Sequence, residues 1–312
     1  MFVPRLLLAQ DTSPASATLL TRSFDVVMAA WFFFFGSCLG SFLNVVVYRC
    51  PRKQSLLGVS RCPFCKNGIA PVDNIPIVGW LRLNGRCRDC GRTIAARYPA
   101  VEFAAGLFVM TLAILELGFQ GANLSVKIPN VVPGFASNVF EPQLLGVLAW
   151  HGILGILLLG MALITEDDQP LPTGLLLTAC VAIGGVATLA PSVLYAVRHT
   201  PIPPSWLVAW RDLAVGAIGG ALIGYCCGWD DEPRPTYKRR MARNAAWLFG
   251  LAGAAFGWPL VVFCGVLVPL TSVIAQGLGS RLRFPLLLVA FVFFYLIAGY
   301  PISFPYLANM PF

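Results

Sequence analysis

Four cysteines carry the most specific chemistry in this chain. Cys62 and Cys65 form one CxxC pair, Cys87 and Cys90 a second, and 21 residues separate the two. A two-residue gap turns both sulfurs of a pair to the inside of one tight knuckle, and two knuckles close a tetrahedral S₄ shell suited to Zn²⁺. Pro63, Asn67 and Gly68 in the first knuckle, and Gly91 in the second, are residues that turns favour. The expectation is a structural zinc ion held by Cys62, Cys65, Cys87 and Cys90. Two disulfides are the competing reading. The Lys- and Arg-rich loop around the cysteines argues against them, because it points to the reducing side of a membrane.

The other candidates are carboxylates and histidines. Glu102 falls in the first turns of an apolar helix, where a carboxylate suits the helix dipole and the interface. His151 stands alone in another apolar stretch and reads as a packing residue or a helix–helix hydrogen bonder. Two acidic groups remain: Glu166-Asp167-Asp168 in a short polar turn, and Asp230-Asp231-Glu232 ahead of Arg234, Lys238, Arg239, Arg240 and Arg243. The second reads most simply as a solvated acidic cap.

The elements that must position these residues are membrane helices. Of 312 residues 57% are hydrophobic and only 12% charged, too apolar for a soluble globule. Repeated apolar runs of about 18 residues or more mean spanning helices. The fold class expected is an all-α polytopic membrane protein with about eight transmembrane helices and a cytoplasmic zinc-knuckle loop. Residues 1–24 read as a poorly ordered outer segment. Residues 25–118 read as two helices around the cysteine loop, and 143–302 as a membrane domain of about six helices. The spans begin near Asp25, Tyr98, 143 and 174 and at about 212. Two short spans within 245–276 join near Trp258-Pro259, and a last one begins near Pro285.

Residues 49–99 hold ten Lys/Arg against two Asp, a net charge of +8 within that loop alone. Basic loops of this kind fix the cytoplasmic side and meet anionic lipid, so the charge reports topology and not nucleic-acid binding. Gly36 and Gly40, and Gly216, Gly219, Gly220 and Gly224, suit close helix packing. Phe32 to Phe35 read as lipid-facing bulk. Cys38, Cys50, Cys180, Cys226, Cys227 and Cys264 read as small buried side chains.

A longer constellation gives these residues a context. Gly36, Gly40-Ser41-Phe42-Leu43-Asn44-Val45, Tyr48-Arg49 and Pro51 precede both CxxC knuckles. Asp73-Asn74-Ile75-Pro76, Gly79-Trp80, Gly85-Arg86-Cys87, Arg97-Tyr98-Pro99 and Glu102 complete it. In these residues the chain resembles the type IV prepilin leader peptidases, many of which also N-methylate the mature pilin. The resemblance implies a bacterial inner-membrane enzyme whose partners are pilin-like precursors and membrane lipids. It also implies S-adenosylmethionine as a methyl donor beside the structural Zn²⁺, and a place for Glu102 in the methyl-transfer site. The interfacial reading of Glu102 stands beside that one.

The same family cleaves with two aspartates from different helices. Sharing one proton, they activate a water and hold the scissile carbonyl oxygen. The sequence departs from that pattern. Aligned on Leu171-Pro172, the first catalytic Asp falls on Thr165, and counting back from Gly257-Trp258 places the second near Ala245. Asp167 or Asp168, with Asp230 or Asp231, are the carboxylates that could replace them. Two readings follow. One is an aspartic endopeptidase with S-adenosylmethionine-dependent N-methyltransferase activity. The other is a proteolytically inactive relative that binds precursors or assembly proteins, or retains only methyl transfer. A transporter has against it the lack of inverted repeats and of charged, broken helices.

Overall fold

The computed structural model describes residues 14–124, 134–190, 206–227, 235–277 and 284–298. They form helices joined by turns, with two isolated β-bridges and no other strand pairing among the described residues. The helices are α1 (Pro14–Arg49), α2 (Val78–Arg82), α3 (Arg97–Ala113), α4 (Phe135–Asn138), α5 (Pro142–Glu166), α6 (Thr173–Leu189), α7 (Trp206–Cys227), α8 (Pro235–Phe256), α9 (Trp258–Gly277) and α10 (Phe284–Ala298). The chain is an all-α membrane protein. The stretches Leu19–Arg52, Arg97–Gly118, Pro142–Glu166 and Trp206–Cys226 are each long and apolar enough to cross a bilayer. Thr173–Leu189, Leu260–Thr271 and Pro285–Ile297 are shorter apolar helices.

Helix α5 is the centre of the bundle. It has Pro142 at its first position, where the missing N–H costs nothing, and no charged residue before Glu166. Of its most apolar window 78% is buried, and α1, α3, α8 and α10 all pack against it. The glycines on α1 set how closely α3 approaches. A Cβ on Gly36 would lie 2.7 Å from the Ala105 carbonyl oxygen, and one on Gly40 would lie 2.9 Å from the Cα of Glu102. Gly216, Gly220 and Gly224 on α7 likewise sit against the backbones of Gly253, Phe249 and Ala245 on α8, whereas Gly219 faces open space.

Several boundaries differ from expectation. Residues 14–24 belong to α1, because Pro14 starts a helix that Ala, Leu and Thr side chains extend; residues 1–13 lie outside the described residues. Helix α7 begins at Trp206, ahead of the expected start near 212, and accommodates the adjacent Arg211–Asp212 pair on an exposed face. Phe32 is not lipid-facing: it is buried and stacks on Phe135. Phe34 and Phe35 are exposed as expected. Cys264 is buried, but Cys180 and Cys226 lie exposed on helix surfaces. Between α8 and α9 the chain breaks at Gly257, whose φ of 88° favours glycine, close to the expected join at Trp258-Pro259.

Candidate functional site

The cysteine loop connects α1 to α3. In the first knuckle the Cys62 N–H donates to the Asn67 carbonyl and the Lys66 N–H to the Cys62 carbonyl. In the second, Cys87 N–H donates to Arg92 and Gly91 N–H to Cys87. The two turns are matched residue for residue, each with one left-handed position after its second cysteine: Gly91 at φ 68° and Lys66 at φ 64°. The first knuckle thus takes its tight turn at Lys66 and not at Gly68. One sulfur of each of the four cysteines lies within 4.8 Å of the others, and the Cys62 and Cys90 sulfurs are 3.9 Å apart. A tetrahedron with Zn–S of about 2.3 Å has edges of roughly 3.8 Å. The donor set therefore fits a four-thiolate metal ion.

The electrostatics agree. The backbone N–H groups of Cys65 and Phe64 pull the Cys62 thiol down to about 7. The Asn67 N–H acts in the same direction on Cys65, but burial and the neighbouring sulfurs outweigh it and push that thiol up to about 12. Four thiols this close cannot all ionise unaided, and a bound divalent cation would make them thiolates.

Between the knuckles the chain is pinned by three contacts. Asp73 receives two hydrogen bonds from Arg88, one at 2.6 Å from Nε, and Arg82 lies 3.8 Å away. The Arg88 hydrogen bonds hold the Asp73 carboxyl below the usual carboxylate range. Arg82 and Arg88 are thus partly engaged within the loop, and Arg92 lies over the Phe64 ring. The Trp80 indole donates to the Ile94 carbonyl and covers Gly85, whose φ is 65°. Gly79 abuts the Asp73 carbonyl, where no Cβ fits.

The third contact is at Ile77. The Val78 N–H donates to the Pro76 carbonyl at 2.6 Å across Ile77, whose φ and ψ are 63° and −53°. That is a γ-turn of the rare, strained hand, centred on a β-branched residue. Its N–H donates to Glu102 Oε2 at 2.7 Å, and the Ser41 hydroxyl also bonds this carboxylate. Nearby, Asn44 donates to the Tyr98 carbonyl. Glu102 therefore joins α3, α1 and the loop.

At the same end of the bundle α5 stops at Asp167, and Asp168 takes a positive φ of 56°. Arg97, the first residue of α3, grips Asp167 with both terminal nitrogens, at 3.0 Å for the longer bond. Arg240 donates to the Asp168 carbonyl, and Asn244 to the Gln169 carbonyl at 3.0 Å. The start of α8 is thereby fastened to the end of α5. Thr165 is fully buried with its hydroxyl on the Met161 carbonyl, and Ala245 is buried against α7. Asp230 and Asp231 lie outside the described residues.

A second polar cluster, which the sequence did not announce, sits further along the bundle. His151 does bond between helices, and its partner is Glu116, with Nδ1 2.5 Å from Oε1. Glu116 is in a π-helical turn (Ile114–Gly118) that continues α3, a wide turn of a kind frequent at special sites. Asn123 donates to both Glu116 Oε1 and the Leu296 carbonyl of α10. The readable signal was an acid in an apolar span; its partner was not readable.

Comparison with known proteins is concordant. The family described as the Bacterial Peptidase A24 N-terminal domain matches residues 34–115. A prepilin leader peptidase/N-methyltransferase of Klebsiella pneumoniae is 32% identical over 214 residues, covering 66% of this chain and 74% of that protein. The protein of the same description from Myxococcus xanthus is 36% identical over 137 residues, covering 36% of this chain and 41% of its own length. One from Pseudomonas putida is 28% identical over 271 residues, covering 78% and 76%. No solved structure matches.

Proposed function

This chain belongs to the prepilin leader peptidase/N-methyltransferase family, and from that premise we propose that it acts on the leader junction of pilin-like precursors at the cytoplasmic face of a bacterial inner membrane. It is a prepilin peptidase-like integral membrane protein. The observation that carries the proposal is the junction at one end of the bundle. There Arg97 ties α3 to Asp167, while Arg240 and Asn244 tie α8 to Asp168 and Gln169. Helices α3, α5 and α8 thus meet where the cysteine loop ends at Arg97.

In the proposed cleavage, one carboxylate comes from the end of α5 and one from the acidic run ahead of α8. Both oxygens of Asp167 are taken by the Arg97 guanidinium, which suits a positioning residue better than one facing a water. Asp168 is therefore proposed as the first carboxylate, with Asp230 or Asp231 as the second. One would take a proton from water and the other would hold the carbonyl oxygen. The zinc ion proposed at Cys62, Cys65, Cys87 and Cys90 would hold the loop in shape and take no part in the reaction. S-adenosylmethionine, when bound, supplies an electrophilic methyl group for the new amino terminus. Glu102, half-buried beside Ser41, is the proposed residue for orienting that amine.

A cleavage assay tests this. The protein and its Asp167→Ala, Asp168→Ala, Asp230→Ala and Asp231→Ala variants are incubated with a pilin-like precursor from the same genome. Loss of cleavage in Asp168→Ala and in one variant of the second pair supports the relocated dyad. A proteolytically silent reading has one observation in its favour, the buried and uncharged Thr165 and Ala245. Zinc-loaded, folded protein that cleaves nothing would establish it. Glu102→Gln, which keeps a hydrogen-bond acceptor, should lose methyl transfer and retain cleavage.

A further inference from the structure

Where α1 ends, the chain makes a turn whose construction is unlike that of a solvated loop. A short 3₁₀ turn, Cys50–Arg52, leads to Lys53 at φ 54°. The chain then folds back around the side chain of Arg49. One Arg49 nitrogen faces the carbonyls of Ser55, Leu56 and Leu57 at 3.2, 3.4 and 3.5 Å, and the other faces that of Val59 at 3.2 Å. The Leu57 N–H is taken by the Ser55 hydroxyl. The carbonyls thus point inward onto one guanidinium while the side chains point out. Leu57 is 87% exposed, Val59 63% and Leu56 37%.

Two physical facts make this arrangement informative. Carbonyls facing water need no internal donor, whereas backbone groups that approach the hydrocarbon must be satisfied within the protein. Three aliphatic side chains are exposed together on this loop. The surroundings are also of one sign. Between residues 49 and 72 there are five Lys/Arg and no Asp or Glu. Arg52 folds back to the Tyr48 carbonyl and over the Tyr48 ring, 4.3 Å from its centroid, and Arg61 is exposed. The loop is continuous with the Leu19–Arg52 span, so it is fixed at the level where that span leaves the hydrocarbon.

We propose that residues 54–59 form an interfacial anchor: Leu56, Leu57 and Val59 enter the acyl boundary of an anionic membrane, with Arg52, Lys53 and Arg61 on lipid phosphates. Arg49 is the residue that makes this possible, by removing four carbonyls from the lipid's reach. The anchor would hold the cysteine loop down against the bilayer on the side of α1, opposite in sequence to its Glu102 tether on α3.

The test uses the full chain reconstituted into vesicles. An environment-sensitive fluorescent amino acid is placed at position 57 by suppression of a stop codon, which avoids the ten native cysteines and eight native tryptophans. Zinc content reports that the loop is folded. The expected result is emission quenched by brominated lipids, more strongly in phosphatidylglycerol than in phosphatidylcholine vesicles. Arg49→Lys, which keeps the charge but not the four-carbonyl grip, should weaken the quenching while the zinc is retained. Unquenched emission in both lipids overturns the proposal. Equal quenching in both overturns the assignment to an anionic surface. Emission that shifts only when a pilin-like precursor is added would assign the three side chains to a protein partner instead.

Discussion

The carboxylate of Glu102, on a membrane helix, accepts the N–H of Ile77 at the centre of a strained γ-turn 25 residues earlier in the chain. A β-branched residue at that φ costs about 1–3 kcal/mol, and a charge-assisted hydrogen bond contributes a similar amount, about 1.5–3 kcal/mol. The bond to Glu102 can therefore offset the strain and hold the loop in a shape it would not adopt alone. Removing the carboxylate in Glu102→Ala should free the turn, read as faster tryptic cleavage at the loop's Arg82 and Arg86. Adding Ile77→Gly, which takes a positive φ without strain, should restore resistance. If the double variant is as labile as Glu102→Ala alone, the turn stores no strain that matters.

The four sulfurs predict a loop whose order depends on metal. Purified protein should carry about one equivalent of zinc, since binding and folding of such small sites are one event. Cys62→Ser should lose most of it and make the loop protease-sensitive, while the helical signal persists because the bundle packs through other residues. Metal-free protein with an equally resistant loop would refute the site.

Asp73 gives the loop a defined acid limit. Its folded-state carboxyl titrates below its ordinary value because Arg88 bonds it. A group with a depressed folded value stabilises above its unfolded value, about 3.9, and loses that contribution as pH falls through the folded value. The difference in unfolding temperature between native protein and Arg88→Gln should thus be constant from pH 7 to pH 5 and shrink below pH 4. Thiol protonation affects both proteins alike and cancels. A difference that already fades at pH 6 would mean another group is responsible.

The Arg97–Asp167 clasp separates position from chemistry. Its side chains are 42% and 36% exposed, so screening limits it to about 1 kcal/mol or less. Asp167→Asn should lower the unfolding temperature slightly, and Arg97→Gln by the same amount, with the double variant no worse than either. Cleavage in Asp167→Asn should fall partially, whereas Asp168→Asn should abolish it. The reverse ranking would make Asp167 the proton-sharing carboxylate.

How much of this was readable varies with the range of the interaction. The four-cysteine cluster was legible because CxxC geometry is local, down to which sulfurs come together. Even there the left-handed position fell on Lys66, since the second cysteine's successor takes it whatever its side chain. Close packing at Gly36 and Gly40 was legible from their four-residue spacing; its partner, the Val101–Val109 stretch of α3, was not. The turn at Ile77 was invisible, because Ile-Val is a strand-like pair and only Glu102 makes the turn tolerable. Helix α7 starts ahead of the expected 212 because the adjacent Arg211–Asp212 pair is carried on an exposed helix face.

The Glu116–His151 pair shows the same limit and supports the last prediction. The two residues are 35 apart in sequence, both essentially inaccessible, and lie in stretches apolar enough to span a membrane. An ordinary interhelical hydrogen bond in a membrane protein is worth only about 0.6 kcal/mol. Removing one member of a buried ionisable pair costs about 3–5 kcal/mol instead, because the other is left without its partner. Asn123 adds a donor on Glu116 Oε1 but none on Oε2, and His151 Nε2 has no partner among the described residues. The larger figure should therefore apply. His151→Leu should destabilise the detergent-solubilised protein by about 3 kcal/mol, read from its unfolding transition. Glu116→Leu combined with His151→Leu should recover most of that loss, since neither ionisable side chain is then left in the apolar interior without its partner. Equal destabilisation in the single and double variants would show that packing around the π-helical turn, and not the pairing of acid with base, holds α3 to α5.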